Sequence, residues 1–169
     1  CLLFLNFYSF FCLEIKSLHS MKSIVILASG SGTNAENIIK YFEKSTTASV
    51  TMVLSNKKDA KVLDRANNYG KSAISFNKTA FSNGHIVELL STLNPDLIVL
   101  AGFLWKVPSA IINAFPDKII NIHPALLPKY GGKGMYGMRV HEAVVENKEV
   151  ESGITIHYVN ENYDEGSII

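Results

Sequence analysis

Cysteine is almost missing from this 169-residue chain, and its two cysteines, Cys1 and Cys12, both lie near the beginning. The rest of the sequence therefore predicts no disulfide framework and no thiolate metal site. A domain without disulfides is typical of a reducing compartment. We accordingly expect a cytoplasmic protein.

An excess of charge is also lacking, since the chain has 16 Lys and Arg against 15 Asp and Glu. Nucleic-acid surfaces and polybasic membrane anchors normally need a clear basic excess. Hydrophobic residues make up 47% and charged residues 18%, which is ordinary for one globular domain with a sizeable core. The composition predicts a small-molecule partner, with no nucleic acid and no membrane.

The first twenty residues differ from the remainder. An apolar run from Cys1 to Leu13 is interrupted by polar residues, and regular strand and helix patterning begins only after Met21. The run is too short for a transmembrane helix, and it has neither the basic start nor the cleavage site of a signal peptide. We interpret residues 1–20 as an extraneous extension, with a truncated secretory signal as the alternative.

From Met21 onward, apolar runs of strand length alternate with segments of helical periodicity. The runs SIVILA and DLIVLAG are continuous, as in parallel strands buried on both faces. The alternation predicts an α/β fold with a doubly wound, mostly parallel sheet and helices on both faces. Residues 21–169 would form this domain, which we expect to be incomplete because it stops inside a strand-like run at Ile169.

The turn SGSGTN, residues 29–34, follows the first predicted strand directly. Its backbone amides, together with polar side chains such as Ser31, would face a ligand at the start of the next helix. We expect Thr33 or Asn34 to cap that helix. The pattern indicates a phosphate site, and the alternative is a turn that merely connects a strand to a helix.

The stretch KIINIHPALLPKY, residues 118–130, places Asn121 and His123 two residues apart at the end of a predicted strand. They therefore share one face of the strand, and Pro124 prevents a simple continuation. An amide can bind a carbonyl oxygen and an imidazole can exchange a proton near neutral pH. Acyl transfer to an amine needs both groups, although a purely structural histidine is the alternative.

Three further segments are candidates for the same edge of the sheet. Leu104 and Trp105 follow the DLIVLAG strand, where they would either line a slot for a flat ring or close the end of the sheet. The glycine-rich segment at residues 131–137 is interpreted as a lid. The acidic turn NENYDEG contains Asp164, and such a turn is normally only solvated.

Taken together, these motifs resemble the phosphoribosylglycinamide formyltransferase family, the folate-dependent formyltransferases of purine synthesis. SGSGTN, LAGF, NIHPALLPKY and the Asp-x-Gly of the acidic turn occur in the family's order from Met21 to Ile169. The resemblance implies a Rossmann-like formyltransferase fold. It also implies transfer of a formyl group from 10-formyltetrahydrofolate to the amine of 5-phosphoribosylglycinamide, by direct attack and without a metal.

The resemblance also implies roles for individual residues. The positions that match the family's catalytic residues are Asn121, His123 and Asp164. The positions that match its phosphate-binding loop are Gly32, Thr33 and Asn34. The positions that match its folate-binding segment are Leu104, Trp105, Lys106 and Val107, to which Asn121 is added. In this scheme Asn121 and a protonated His123 stabilise the oxyanion, and Asp164 keeps the imidazole cationic.

Other functions share parts of the pattern. Residues 30–35 also fit G-x-G-x-x-A, which is typical of an NADP-binding oxidoreductase, although that function does not explain Asn121 and His123. Formyltetrahydrofolate hydrolase has the same catalytic residues but usually carries an amino-terminal regulatory domain. A silent fragment that binds only a nucleotide or a partner is the third alternative.

Overall fold

The computed structural model describes residues 20–169. The prediction that residues 1–20 are an extraneous extension falls almost wholly outside this range, as do both cysteines. That interpretation therefore stays a prediction. Among the described residues, no helix is long and apolar enough to cross a membrane.

A six-stranded sheet forms the centre of the described chain. Its strands are β1 (Lys22–Ala28), β2 (Ala48–Ser55), β3 (Ser72–Ser75), β4 (Leu97–Leu100), β5 (Ile119–His123) and β6 (Thr155–Tyr158). They lie in the order β3-β2-β1-β4-β5-β6, and the pairing of β5 with β6 is antiparallel whereas the other pairings are parallel. This arrangement confirms the predicted doubly wound, mostly parallel sheet.

Helices cover both faces of the sheet. They are α1 (Thr33–Phe42), α2 (Lys61–Asn68), α3 (Lys78–Ser82), α4 (His85–Leu93), α5 (Ser109–Ala114) and α6 (Met138–Glu146). Alternate residues of β1 point to opposite faces, so that Ile26 packs with α1 and α2 while Leu27 packs with α3, α4 and α5. Helix α3 has no counterpart in the sequence interpretation, although the Asn77 side chain caps it by accepting the Ala80 N–H.

The start of α1 corrects one expectation. Neither Thr33 nor Asn34 caps the helix, because the cap residue is Gly32 with a φ of 77° and no side chain supplies a cap hydrogen bond. A Cβ at Gly32 would overlap the Val62 side chain, so only glycine permits α2 to pack this closely. The side chains of Thr33 and Asn34 are consequently left exposed.

Strand β6 has its polar side chains buried and its apolar ones exposed. Thr155 and His157 are 6% and 2% exposed, whereas Ile154 and Ile156 on the other face are 63% and 36% exposed. Thr155 Oγ1 donates to the Ala125 carbonyl over 2.7 Å, which satisfies its hydroxyl. The inward face of β6 is therefore built for polar contacts with β5 and the segment after it.

Replacing Ile26 with Ala should destabilise the fold by about 2–5 kcal/mol, because the side chain is fully buried between β2 and β4 and its removal leaves a cavity. Ile74 on the edge strand β3 is 41% exposed, so Ile74→Ala is the matched control and should cost much less. Chemical denaturation of both variants measures the difference. Equal losses would contradict this description of the core.

Candidate active site

The carboxyl ends of β1, β4 and β5 meet at one edge of the sheet, because these strands are neighbours and parallel. Two hydrogen bonds join the first two ends. Ser29 N–H donates to the Gly102 carbonyl over 3.0 Å, and Leu104 N–H donates to Ser29 Oγ over 2.9 Å. The topology thus brings the glycine turn and the segment after β4 next to the end of β5, as the rule for open α/β sheets predicts.

Asp164 lies in the acidic turn, yet its side chain is only 12% exposed. Asn121 Nδ2 donates to Asp164 Oδ1 over 3.3 Å, and Gly132 N–H donates to Oδ2 over 2.8 Å. Two imidazole nitrogens also face the carboxylate, His123 Nδ1 at 3.6 Å and His157 Nε2 at 3.5 Å. The structure therefore brings the three sequence-predicted catalytic residues together, and Asp164 is not an ordinary solvated turn residue.

The Asn121 amide has a defined orientation in this group. A carboxylate can only accept hydrogen bonds, so the nitrogen of Asn121 must be the atom that faces Asp164. The same nitrogen lies 3.1 Å from His157 Nε2 and can donate to it when that ring nitrogen carries no proton. Both N–H groups of Asn121 are then used inside the protein.

His157 is a site residue that the sequence interpretation missed. Its Nδ1–H donates to the Tyr158 carbonyl over 2.8 Å, which leaves Nε2 facing Asn121 and Asp164. The Asp164 carboxylate raises the pKa of His157 above its ordinary value, against the opposing effect of burial. The one sequence feature that could have indicated His157 was the alternating pattern of its strand, which places it on the same face as Thr155.

The charge of Asp164 is set by opposing effects. Burial alone would raise the pKa of its carboxyl group. The hydrogen bond with His157, the N–H of Gly132 and the positive charge available at His123 outweigh burial and hold the pKa below the ordinary value of 3.8. Asp164 is therefore an anion at neutral pH, and it favours the protonated form of His157.

His123 is only 3% exposed, and both of its ring nitrogens face an oxygen atom of the protein. Its Nε2 is 2.9 Å from the carbonyl oxygen of Tyr130, and because a carbonyl only accepts, Nε2 carries the proton in this contact. The other ring nitrogen, Nδ1, is the one that faces Asp164. Proton exchange at His123 is thereby directed to Nδ1.

A solvent-open cleft of about 420 Å³ lies beside this group. Trp105, Lys106 and Val107 line it together with Asn121 and Asp164, so it includes three of the four residues matched to the folate segment. Leu104 is absent from the lining and instead contacts Ser29 through its backbone.

Trp105 belongs to the aromatic residues at this end of the sheet. Its indole packs within 6.4 Å, between ring centroids, of the aromatic rings that close this end of the sheet, Phe76, Phe81 and Phe103. The residue also lines the cleft. The aromatic cluster therefore holds the indole in place as one wall of the cleft.

The residues matched to the phosphate loop lie outside that cleft. Gly32 is buried at the start of α1, and Thr33 and Asn34 are exposed there. The helix begins at Thr33, so its first backbone N–H groups and the positive end of its dipole are available to an anion. The residues from 20 to 169 contain no group of three or more His, Cys, Asp or Glu side chains arranged to hold a metal ion.

Comparison with known proteins gives consistent matches over most of the chain. Residues 22–169 match the family model described as Formyl transferase. The phosphoribosylglycinamide formyltransferase of Haemophilus influenzae is 39% identical, over 88% of this chain and 71% of that protein. The chloroplastic enzyme of the same name from Arabidopsis thaliana is also 39% identical, but this chain spans only 53% of its length.

Solved structures agree with these matches. The glycinamide ribonucleotide transformylase 1 of Symbiobacterium toebii superposes with a TM-score of 0.80 and 33% identity, over 88% of this chain and 71% of that chain. The phosphoribosylglycinamide formyltransferase of Coxiella burnetii superposes with a TM-score of 0.78 and 34% identity, and this chain covers 71% of it. The agreement of sequence and fold over the whole patterned region shows that this chain belongs to the formyl transferase family.

Proposed function

We propose that this protein transfers a formyl group from 10-formyltetrahydrofolate to the amine of 5-phosphoribosylglycinamide, a step of purine synthesis. The observation that carries the proposal is the convergence of Asn121, His123 and Asp164 beside a cleft. Formyl transfer to an amine needs a donor for the oxyanion, a positive charge and a proton acceptor. The names of the matched relatives, which are phosphoribosylglycinamide formyltransferases, support formyl transfer to this ribonucleotide, and the folate is the donor that the family resemblance implies.

In the proposed reaction, the substrate amine attacks the formyl carbon and a C–N bond forms. The carbonyl oxygen becomes an oxyanion, which accepts a hydrogen bond from Asn121 and is stabilised by the charge of a protonated His123. A proton leaves the attacking nitrogen, with Asp164 and water as its carriers, and a proton reaches N10 of the folate as the old C–N bond breaks. The protein forms no covalent intermediate in this scheme.

His157 fits this mechanism through its contact with Asn121. While His157 Nε2 is unprotonated, it can accept one of the two Asn121 N–H groups, and Asp164 accepts the other. Protonation of Nε2 turns this nitrogen into a donor toward Asp164 and releases the N–H of Asn121. The released N–H would then be available to the formyl oxygen.

The folate and the ribonucleotide would bind at different parts of the sheet edge where the parallel strands end. The pterin of the folate would lie in the cleft against Trp105 and Val107, both of which line it. The phosphate of the ribonucleotide would lie at the start of α1, with Gly32, Thr33 and Asn34. No metal takes part, and the cytoplasm remains the location that we propose.

The alternative functions gain less support. An NAD site needs an acid at the end of β2, where this chain has Ser55, Asn56 and Lys57, and Lys57 and Lys58 could suit only the 2′-phosphate of NADP. A formyltetrahydrofolate hydrolase would use the same Asn121, His123 and Asp164. The matched relatives are named as transferases to the glycinamide ribonucleotide, which favours the transferase.

Ligand binding separates the transferase from the oxidoreductase. In calorimetric titration, 5-phosphoribosylglycinamide should bind more tightly than NADPH or inorganic phosphate, because it offers a phosphomonoester to the start of α1. Asn34→Asp should weaken this binding through charge repulsion, whereas Asn37→Asp, at an exposed position further along α1, should have a smaller effect. Tighter binding of NADPH would instead favour the oxidoreductase.

Replacing Asp164 with Asn should lower the pKa of His157, because the carboxylate that raises it is lost. In the parent protein, the contribution of His157 to stability is complete below about pH 6.5 and disappears as the pH rises through the raised pKa. The contribution of Asp164 is present above about pH 3.8 and disappears as the pH falls through its lowered pKa. The stability difference between parent and variant should therefore be largest between these limits.

NMR titration of His157 and unfolding at several pH values measure these effects, and formyl transfer is assayed alongside. Glu161→Gln and Glu165→Gln are the matched controls, since both acids lie in the same turn and are exposed. Both control variants should retain the activity and the His157 pKa of the parent protein, whereas Asp164→Asn should lose most of the activity. Similar behaviour of all three variants would leave Asp164 without a special role.

A further inference from the structure

Tyr130 has a backbone conformation that an aromatic residue rarely adopts. Its φ is 57°, in the left-handed region, where a side chain is crowded by the backbone. Such a conformation persists only where neighbouring groups hold it. The carbonyl oxygen of this residue is the acceptor for His123 Nε2–H at 2.9 Å, so the strained residue contacts a proposed catalytic group directly.

The side chain of Tyr130 is held at both its ring and its hydroxyl. The ring packs on a small buried cluster, Ala125, Val140 and Val144, which joins α6 to the segment after β5. The hydroxyl donates to Glu149 Oε1 over 2.8 Å. Burial, and then the Glu149 carboxylate, raise the pKa of Tyr130, so the phenol keeps the proton that it donates.

Glu149 lies just after α6 and connects this helix to the Tyr130 segment. Besides the phenol, its carboxylate accepts from Lys129 Nζ over 2.9 and 3.1 Å. The Lys129 side chain is 67% exposed, whereas that of Glu149 is 23% exposed. The contact with the phenol is therefore the better shielded of the two, and a hydrogen bond to a charged acceptor is stronger than one between neutral groups.

The carbonyl of Tyr130 determines which nitrogen of His123 carries a proton in the neutral ring. With Nε2–H donating to the carbonyl, Nδ1 is left facing Asp164. If Tyr130 relaxed to a right-handed conformation, its carbonyl would turn away and the ring would lose this constraint. The hydrogen bond made by one ring nitrogen thus sets the chemistry of the other.

We propose that Tyr130 and Glu149 are positioning residues for His123. The carboxylate of Glu149 holds the phenol of Tyr130, the phenol holds the left-handed backbone, and the backbone carbonyl holds Nε2–H of His123. The effect on formyl transfer rests on the function proposed above. The effect on the His123 ring does not depend on it.

The test removes the hydroxyl of Tyr130 and follows the protonation of the His123 ring by NMR. In Tyr130→Phe, which keeps the packing, the nitrogen-15 shifts of His123, recorded over a pH series that reaches the neutral ring, should change from the Nε2-protonated tautomer to a mixture of tautomers. The turnover number for formyl transfer should fall by about tenfold, a common effect of losing a group that orients an active-site residue, with little change in KM. Glu149→Ala should give the same result, and it carries the test if Tyr130→Phe does not fold.

Two conservative variants distinguish the loss of the positioning contact from a general disruption of the structure. Glu149→Gln keeps an oxygen that accepts from the phenol, so it should retain most of the turnover and the parent tautomer. Lys129→Met removes the exposed ion pair and keeps the phenol contact, so it should behave like the parent protein. The Tyr130→Phe, Glu149→Ala double variant should be no worse than either single variant, since both break the same contact.

Parent-like nitrogen shifts and turnover in Tyr130→Phe and Glu149→Ala would overturn the inference. A loss in Lys129→Met as large as that in Tyr130→Phe would also overturn it, because the exposed ion pair would then be the important contact. If the parent protein fails to transfer a formyl group, the proposed function is wrong. The nitrogen shifts of His123 still decide the positioning role in that case, since they require no substrate.

Discussion

The site depends on the burial of one charge, the carboxylate of Asp164. A buried charge is costly unless it is paired and hydrogen-bonded, and Asp164 meets this requirement with groups from three parts of the chain. Asn121 comes from β5, His157 comes from β6, and the Gly132 N–H comes from the glycine-rich segment. The sheet and both loops must be in place before the charge is stabilised, so the site is a product of the tertiary structure.

The pairing of β5 with β6 explains how these groups meet. In the antiparallel register Asn121 is opposite His157, and His123 is opposite Thr155. Directly opposite side chains on one face lie close enough to interact, and here both pairs are polar. This explains why β6 turns its polar residues inward and leaves Ile154 and Ile156 exposed.

Much of the fold was predictable because its strands are continuous apolar runs. In SIVILA, alternate residues point to opposite faces of the sheet, and both faces are buried. The N-cap of α1 was not predictable from the sequence. Gly32 is required there because it contacts Val62, which is thirty positions further along the chain. That Asn121 and His123 share one face was predictable from their spacing on one strand, and both side chains face Asp164. His157 was missed because its partner Asp164 is reached only when the acidic turn folds back, a feature that no local pattern contains.

In the proposed function, Asn121, His123 and Asp164 act together to move a formyl group onto an amine. The most direct measurement follows 10-formyltetrahydrofolate labelled with carbon-13 in the formyl group, by NMR, with 5-phosphoribosylglycinamide present or absent. We expect the label to move to the glycinamide amine when the ribonucleotide is present and to stay on the folate when it is absent. His123→Ala should slow this transfer by about 10² to 10⁴, whereas the exposed His85→Ala should not. Release of the label as formate without the ribonucleotide, or equal rates in both variants, would contradict this proposal.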